Sequence, residues 1–512
     1  MQERKKIVII GSGFAGLSAA CTLAQHGHDV TILEKNDQAG GRARTWTHDG
    51  FTFDMGPSWY WMPEVFENFY HQFNKTTSDF YTLQRLDPAY RIYYAGTEQI
   101  NVPASLEALV EIFEGKEKGS GTQLKKFLAD AEYKYKTAMK DYVHRISDSI
   151  VEYFDLQLLY KSFQLKLFQS IAHEVRSRFK HPALISLLEF PVLFLGATPA
   201  QTPAMYSMMN YADLVLGTWY PIGGMNEIVK AMLKIATENG AKIMLQQNVV
   251  RIEVSDSKAT YVHTTDSHYP AHVVVAGNDY HHTEQTLIDE PNRQYDKAYW
   301  DKRTMAPSSL LFYIGVNKKL PALLHHNLFF DEDFALHAHE IYTTPKWPTA
   351  PLFYVCVPSK TDPTVAPEGM ENLFILMPIA TGIEDTETLR ESYFDKIIHR
   401  IEQKIGQKFR AHIVVKRSYC IKDFERDYNS YKGNAYGLAN TLMQTAVLKP
   451  KMKSSKIKNL FYTGQLTVPG PGVPPAIISG QIAANEIIRQ INNNIISCSI
   501  YLSKQPMRIA KI

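Results

Sequence analysis

Between Lys5 and Asp54 the chain runs through an apolar strand, a glycine turn, a helix, a second apolar strand and a second glycine turn without a gap, and few folds accept that order. Lys6-Ile7-Val8-Ile9-Ile10 shows no alternation of polar and apolar residues and ends at a glycine, as suits a strand buried on both faces of a parallel sheet. Gly11-Ser12-Gly13-Phe14-Ala15-Gly16 then gives GxGxxG spacing, and Leu17 to Ala24 continues as a helix with small residues facing the strand. The first glycine permits the tight turn, the second lets backbone approach a pyrophosphate, and the third lets helix and strand pack closely, with Ala15 in the same turn. An anion held there faces free N–H groups and the positive end of the helix dipole, so no side-chain cation is needed.

A lone GxGxxG is weak, but here its context is complete. Asp29-Val30-Thr31-Ile32-Leu33 reads as the second strand and ends at Glu34 and Lys35, about twenty residues beyond Gly11. A carboxylate at Glu34 accepts hydrogen bonds from both hydroxyls of a ribose and repels a 2′-phosphate, which selects an unphosphorylated adenosine ribose. Ala39-Gly40-Gly41-Arg42-Ala43-Arg44 follows directly. An ordinary NAD-binding unit has no need of a second phosphate-approach loop, and two such loops with two cations suit FAD. Together with Phe51-Thr52-Phe53-Asp54-Met55-Gly56-Pro57, these motifs resemble the N-terminal signature of the flavoprotein family that includes monoamine oxidases, protoporphyrinogen oxidase and carotenoid desaturases. The resemblance implies that Gly40, Gly41 and Arg42 lie near the diphosphate and flavin, and that the segment through Gly56 leads under the flavin.

The 512 residues allow about three domain-sized units or one nucleotide fold with insertions. A net charge of +3 gives no warrant for nucleic-acid binding, and the 12% aromatic content can line an apolar ligand site or serve as ordinary core. The four cysteines are scattered without a CxxC, so neither a disulfide framework nor a zinc site is indicated and a reducing cytosol fits. Arg4-Lys5-Lys6 before an apolar stretch copies a signal peptide, but cleavage would destroy the glycine turn, which explains the segment better. No run reaches the eighteen or so apolar residues that span a bilayer.

Trp59-Tyr60-Trp61 either walls the flavin cavity or packs beneath it, and Ser105 to Ile146 reads as two charged amphipathic helices around a loop at 115–121. From Ile150 to Tyr220 the composition turns apolar, with Phe154, Leu158, Leu159, Phe163, Leu167 and Phe168, then the run Leu184 to Leu195 broken by Pro191. That run suits a dip into one leaflet, the lining of an apolar tunnel or a buried helix between domains. Glu189 within it, and Glu152 before it, are the candidate proton acceptors or donors, because burial raises a carboxyl pKa; a carboxylate reaching out at a helix edge is the alternative. His325-His326 and His337/His339 lack matching acidic or thiol ligands and read as surface or core residues, with no metal site.

Trp219-Tyr220-Pro221-Ile222-Gly223-Gly224 opens a helix from Asn226 to Asn239, and this turn resembles the bacterial phytoene desaturase branch of the same family. In that branch the position of Val249 touches adenine through its backbone. Near the C-terminus, Asn459 to Gly464 is a strand ending at glycine, and Pro469-Gly470-Pro471-Gly472-Val473-Pro474-Pro475 is a rigid turn entering a helix from Ala476 to Arg489. The resemblance places Gly464, Gln465, Gly472, Val473 and Pro474 at the cofactor, with the helix dipole favouring the reduced flavin.

The expected architecture is α/β: a Rossmann-like FAD-binding domain assembled from N-terminal, central and C-terminal segments (1–90, 241–290 and 431–490), a helical membrane-facing insert with the apolar substrate region (91–240), a mixed-sheet substrate domain (291–430) and a tail (491–512). The implied activity is FAD-dependent desaturation of a long acyclic polyisoprenoid, phytoene to more conjugated carotenes, by hydride transfer to flavin. A late-pathway desaturase acting on a hydroxylated carotene, an amine oxidase-type flavoenzyme and a non-enzymatic prenyl carrier are the alternatives. The expected setting is cytoplasmic, peripheral on the inner face of the cell membrane in contact with lipid, with oxygen or a quinone as final electron acceptor.

Overall fold

A five-stranded parallel sheet orders its strands Leu460–Tyr462, Val273–Ala276, Lys6–Ile10, Asp29–Leu33 and Lys242–Met244 in the computed structural model, which describes residues 4–146 and 169–503. Ile9 faces Val275 on one side and Ile32 on the other, and all three are fully buried, which is why no polar residue interrupts these runs. N-terminal, central and C-terminal segments thus share one sheet, as the α/β expectation requires. The helix Phe14–Gln25 covers it and is crossed by the closing helix Val473–Ser503. At the crossing a Cβ on Gly480 would lie 2.2 Å from the Ala15 carbonyl oxygen, and Ser18 Oγ donates to the Ile477 carbonyl at 2.7 Å.

The second sheet has seven strands in the order Ile413–Tyr419, Ser308–Val316, Glu371–Ile379, Phe353–Cys356, His326–Phe330, Tyr90–Tyr94 and Gln99–Val102. It is mixed, because His326–Phe330 pairs parallel with Tyr90–Tyr94 while its other neighbours are antiparallel. Two of these strands fall in the stretch expected to be helical insert. The two pair with each other as a hairpin, and Tyr90–Tyr94 joins the sheet through His326–Phe330, far along the chain. Val249–Ser255, Lys258–Thr264 and His268–Pro270 form a separate three-stranded antiparallel meander.

The helices Leu106–Lys116 and Ser120–Asp141 flank the predicted glycine loop. Ser105 caps the first by accepting from the Ala108 N–H. The run from Leu184 forms the end of the helix Pro182–Glu189 and a 3₁₀ turn Phe190–Leu195. Leu184, Leu187, Leu188, Phe190 and Val192 are buried in the core, so these residues present no face to a membrane. Among the described residues no helix is long and apolar enough to cross a membrane. The closing helix continues to Ser503 instead of stopping near Arg489, and the first residues assigned to the tail are its last turns. Phe154, Leu158, Leu159, Phe163, Leu167 and Phe168, like Lys504, Arg508 and Lys511, lie outside the described residues.

Candidate functional site

One cavity of about 680 Å³ opens between the two sheets, and both glycine turns and the C-terminal proline-glycine turn line it. On its wall stand Gly11, Gly13, Ala15, Glu34, Lys35, Gly40, Gly41, Arg42, Gly56, Val249, Gly464, Gln465, Gly472, Val473 and Pro474. Gly16 lies one layer behind. A Cβ there would come 2.1 Å from the Gly11 carbonyl oxygen, whereas one on Gly13 would meet nothing within 4 Å. The third glycine holds helix against strand, and the second leaves open space at the wall, as a pyrophosphate cradle requires.

Glu34 is buried, and its carboxylate holds the two loops together. Oε2 accepts from the Ser12 N–H at 2.9 Å and from Ser12 Oγ at 2.6 Å, and Oε1 accepts from the Asn36 N–H and side-chain amide at 2.9 and 3.0 Å. The side-chain amide of Asn36 is the partner that a ribose hydroxyl can replace without disturbing the backbone. Lys35 Nζ donates to Asn429 Oδ1 at 2.9 Å, and burial lowers its pKa.

The two arginines of the second turn differ. Arg44 pairs with Asp427 at 2.9 Å, whereas Arg42 has no carboxylate within 4 Å among the described residues and donates to Ser430 Oγ at 2.6 Å. Both guanidinium groups lie over the Tyr428 ring, at 5.0 and 5.3 Å. Burial lowers the pKa of Arg42, opposed by Tyr428 and Asp279, and its Nε is buried without a hydrogen bond. A half-buried cation with no carboxylate partner among the described residues and a bare Nε on the wall suits an anionic group such as a diphosphate.

Across the cavity the Trp59-Tyr60-Trp61 segment does both things open to it. Trp59 and Trp61 line the wall, and Tyr60 packs beneath on Phe66, its hydroxyl 3.0 Å from that of Tyr81. Phe190, Phe330, Phe334 and Phe353 extend the apolar wall. Behind it, Asp54 accepts from the N–H groups of Met225 and Asn226 at 2.8 and 3.2 Å, capping the helix Asn226–Glu238 that the Gly223-Gly224 turn opens. Burial pushes the Asp54 carboxyl up to about 7, with the two backbone hydrogen bonds opposing.

Of the two acid-base candidates only Glu189 is among the described residues, and it does not line the cavity. Glu152 lies outside the described residues. Glu189 is buried, but both its oxygens accept from Arg176, at 2.8 and 3.0 Å, and it is Phe190 that lines the cavity. The sequence reading of Glu189 as a free buried carboxyl fails because an exposed arginine one helix away reaches it. Glu189→Gln is therefore expected to keep turnover within about twofold and to cost about 1 kcal/mol of stability, read from pigment conversion and urea unfolding.

Lys449 escaped the sequence reading, since Leu448-Lys449-Pro450-Lys451 looks like surface. Its ammonium is buried without a hydrogen-bond partner among the described residues, 3.3 Å from the position a Cβ on Gly470 would take. Burial lowers its pKa from 10.5 to about 7. Above pH 7 the folded state sheds a proton that the unfolded state keeps until near 10.5, so stability rises with pH across that window. Lys449→Met is expected to flatten this slope and to stabilise the apoprotein at pH 7 by about 2–4 kcal/mol, read from urea midpoints against pH.

A family model described as flavin-containing amine oxidoreductase matches residues 14–488. Carotenoid 3,4-desaturase of Haloarcula japonica is 41% identical over 489 residues, covering 95% of this chain and 98% of that protein. Zeta-carotene-forming phytoene desaturase of Myxococcus xanthus is 29% identical, over 95% of this chain and 94% of that protein. Among solved structures, an oxidoreductase from Methanosarcina mazei superposes with a TM-score of 0.60 at 15% identity, covering 93% of this chain and 99% of that one.

Proposed function

Because the chain belongs to the flavin-containing amine oxidoreductase family and, within it, to the carotenoid desaturases, we propose that it desaturates the 3,4 position of a long acyclic carotenoid, with FAD as cofactor. FAD-dependent carotenoid desaturation is the activity; the bond and the substrate are the finer reading. The carrying observation is that a single cavity joins the glycine cradle to an aromatic wall. The 3,4 position is favoured over phytoene because the 3,4-desaturase relative is much the more similar of the two.

Bound FAD supplies hydride acceptance. The chain's own groups position the reactants. With the Gly11 and Ser12 N–H groups bonded to Leu33 and Glu34, the N–H groups of the turn from Gly13 onward would hold the diphosphate, Arg42 would add a cation, and Glu34 would receive the ribose. Pro474 and Pro475 carry no N–H and the Ala476 N–H donates to the Gly472 carbonyl, so it is the positive end of the dipole of the helix Val473–Ser503 that faces the wall beside Gly472 and favours negative charge there. The wall carboxylates are already engaged: Glu34 with Ser12 and Asn36, Asp279 with the N–H groups of His282 and Tyr431, and Asp427 with Arg44. The aromatic rings exclude water and hold an extended chain.

Such a substrate resides in a bilayer, so the proposal includes peripheral contact with the cytoplasmic face of the membrane and a quinone or oxygen as final acceptor. Met443, 73% exposed, and Leu448 flank the cavity residue Thr445 and would meet lipid first. Expression in two hosts, one accumulating phytoene and one accumulating acyclic hydroxylated carotenes, tests the reading, with pigments separated and their absorption recorded. Conversion in the second host alone supports it. Conversion of phytoene moves the assignment to an early step, and no conversion in either host removes it.

A further inference from the structure

His325, His326 and Cys356 form a buried cluster that the flavin chemistry does not use. Antiparallel pairing of His326–Phe330 with Phe353–Cys356 sets His326 directly opposite Cys356. The thiol that the histidines seemed to lack in the sequence is therefore a cross-strand neighbour. One ring nitrogen of each histidine and the Cys356 sulfur lie within 4.8 Å of one another, and all three residues are at most 4% exposed.

Both imidazoles are anchored in the same way. Nδ1 of His325 is 2.7 Å from Thr361 Oγ1, and Nδ1 of His326 is 2.6 Å from the Tyr354 hydroxyl. The Tyr354 hydroxyl is also 3.0 Å from Ser58 Oγ, which fixes the phenol beside the His326 ring. Nε2 of each ring is buried with no hydrogen-bond partner among the described residues. Burial keeps both rings neutral, lowering His325 to about 3 and His326 well below its usual value. A neutral imidazole with one nitrogen tied to an oxygen and the other bare is the arrangement of a metal-ligating histidine with its orienting partner.

We propose that His325, His326 and Cys356 bind one zinc-type transition-metal ion through the two imidazoles and the sulfur. The N₂S donor set suits zinc or copper(I) and disfavours magnesium and calcium. Metal–ligand bonds of about 2.0–2.3 Å place donors about 3.5 Å apart, so the cluster contracts slightly as the ion enters. Burial raises the Cys356 pKa, so the free thiol is protonated and its proton leaves to solvent as the metal–sulfur bond forms. The ion ties a strand end to the loop carrying Thr361 directly behind the cavity. Trp59, which lines that cavity, stacks on His326 at 4.2 Å and 10°.

Metal analysis of the full-length flavin-loaded protein, expressed with added zinc and passed over a chelating resin, is expected to give about one zinc ion per chain. Cobalt(II) added to the stripped protein is expected to give a near-ultraviolet thiolate-to-cobalt band with visible tetrahedral bands. Cys356→Ser removes the first, and His325→Gln weakens cobalt binding about tenfold or more. Less than about 0.1 ion per chain of any first-row metal, with no thiolate band in titrated wild-type protein, overturns the site. Retained flavin absorbance verifies the fold of each variant, and if Cys356→Ser does not fold, the wild-type cobalt spectrum decides alone.

Discussion

Gly16→Ala is expected to purify without flavin. The added methyl would lie 2.1 Å from the Gly11 carbonyl oxygen and 3.2 Å from its carbon, and neither backbone can retreat. Gly11 N–H donates to the Leu33 carbonyl at 2.8 Å and Gly277 N–H to the Ile10 carbonyl at 2.8 Å, which pins the turn between its neighbouring strands. The clash forces helix from strand, with a cost of about 3 kcal/mol or more and bound flavin below about a tenth of wild type. Gly13→Ala separates the two effects. Its methyl meets nothing within 4 Å of protein, so the apoprotein keeps its melting temperature while flavin affinity falls about tenfold or more. Flavin-to-protein absorbance ratios and apoprotein melts measure both, and a flavin-replete Gly16→Ala protein would refute the cradle.

The second large effect is expected at Arg42. With no carboxylate partner among the described residues, Arg42→Met removes a charge that is partly desolvated, so apoprotein stability is expected to hold while FAD affinity falls about 10–100-fold. Arg44→Met should do the reverse. It strips Asp427 of a partner at 2.9 Å and destabilises the fold by about 1–2 kcal/mol with a smaller loss of affinity. Fluorescence titration with FAD, set against thermal melts of the two apoproteins, distinguishes them.

What the sequence made legible was local. The run from Lys6 to Glu34 carries its strand, turn, helix and carboxylate within one βαβ unit, and the second turn and the closing turn carry their own glycines. What it hid depended on partners far along the chain. Tyr90–Tyr94 and Gln99–Val102 form a local hairpin, but its place in the seven-stranded sheet depends on His326–Phe330, and Asp54 became a helix cap only where Asn226 arrives. Tyr428, over which both arginines lie, sits in a polar stretch with no motif of its own. Glu189 misled because burial was foreseen and its arginine was not. Lys449 was missed because a lysine between a leucine and a proline carries no sign that its surroundings will close over it.

The strand order of the parallel sheet also bears on how the protein is made. Lys6–Ile10 leaves the ribosome long before Leu460–Tyr462, which gives the sheet its edge strand, and the helix Val473–Ser503 follows that. At 5–20 residues per second, roughly half a minute to a minute and a half separates the two ends. Once Val273–Ala276 has paired with Lys6–Ile10, its other edge of buried valines waits for Leu460–Tyr462 with the cradle unfinished, a state open to aggregation and to chaperones. The cradle closes only when the segment from Leu460 to Pro475 has been made, so flavin capture is a late event in the folding of this chain.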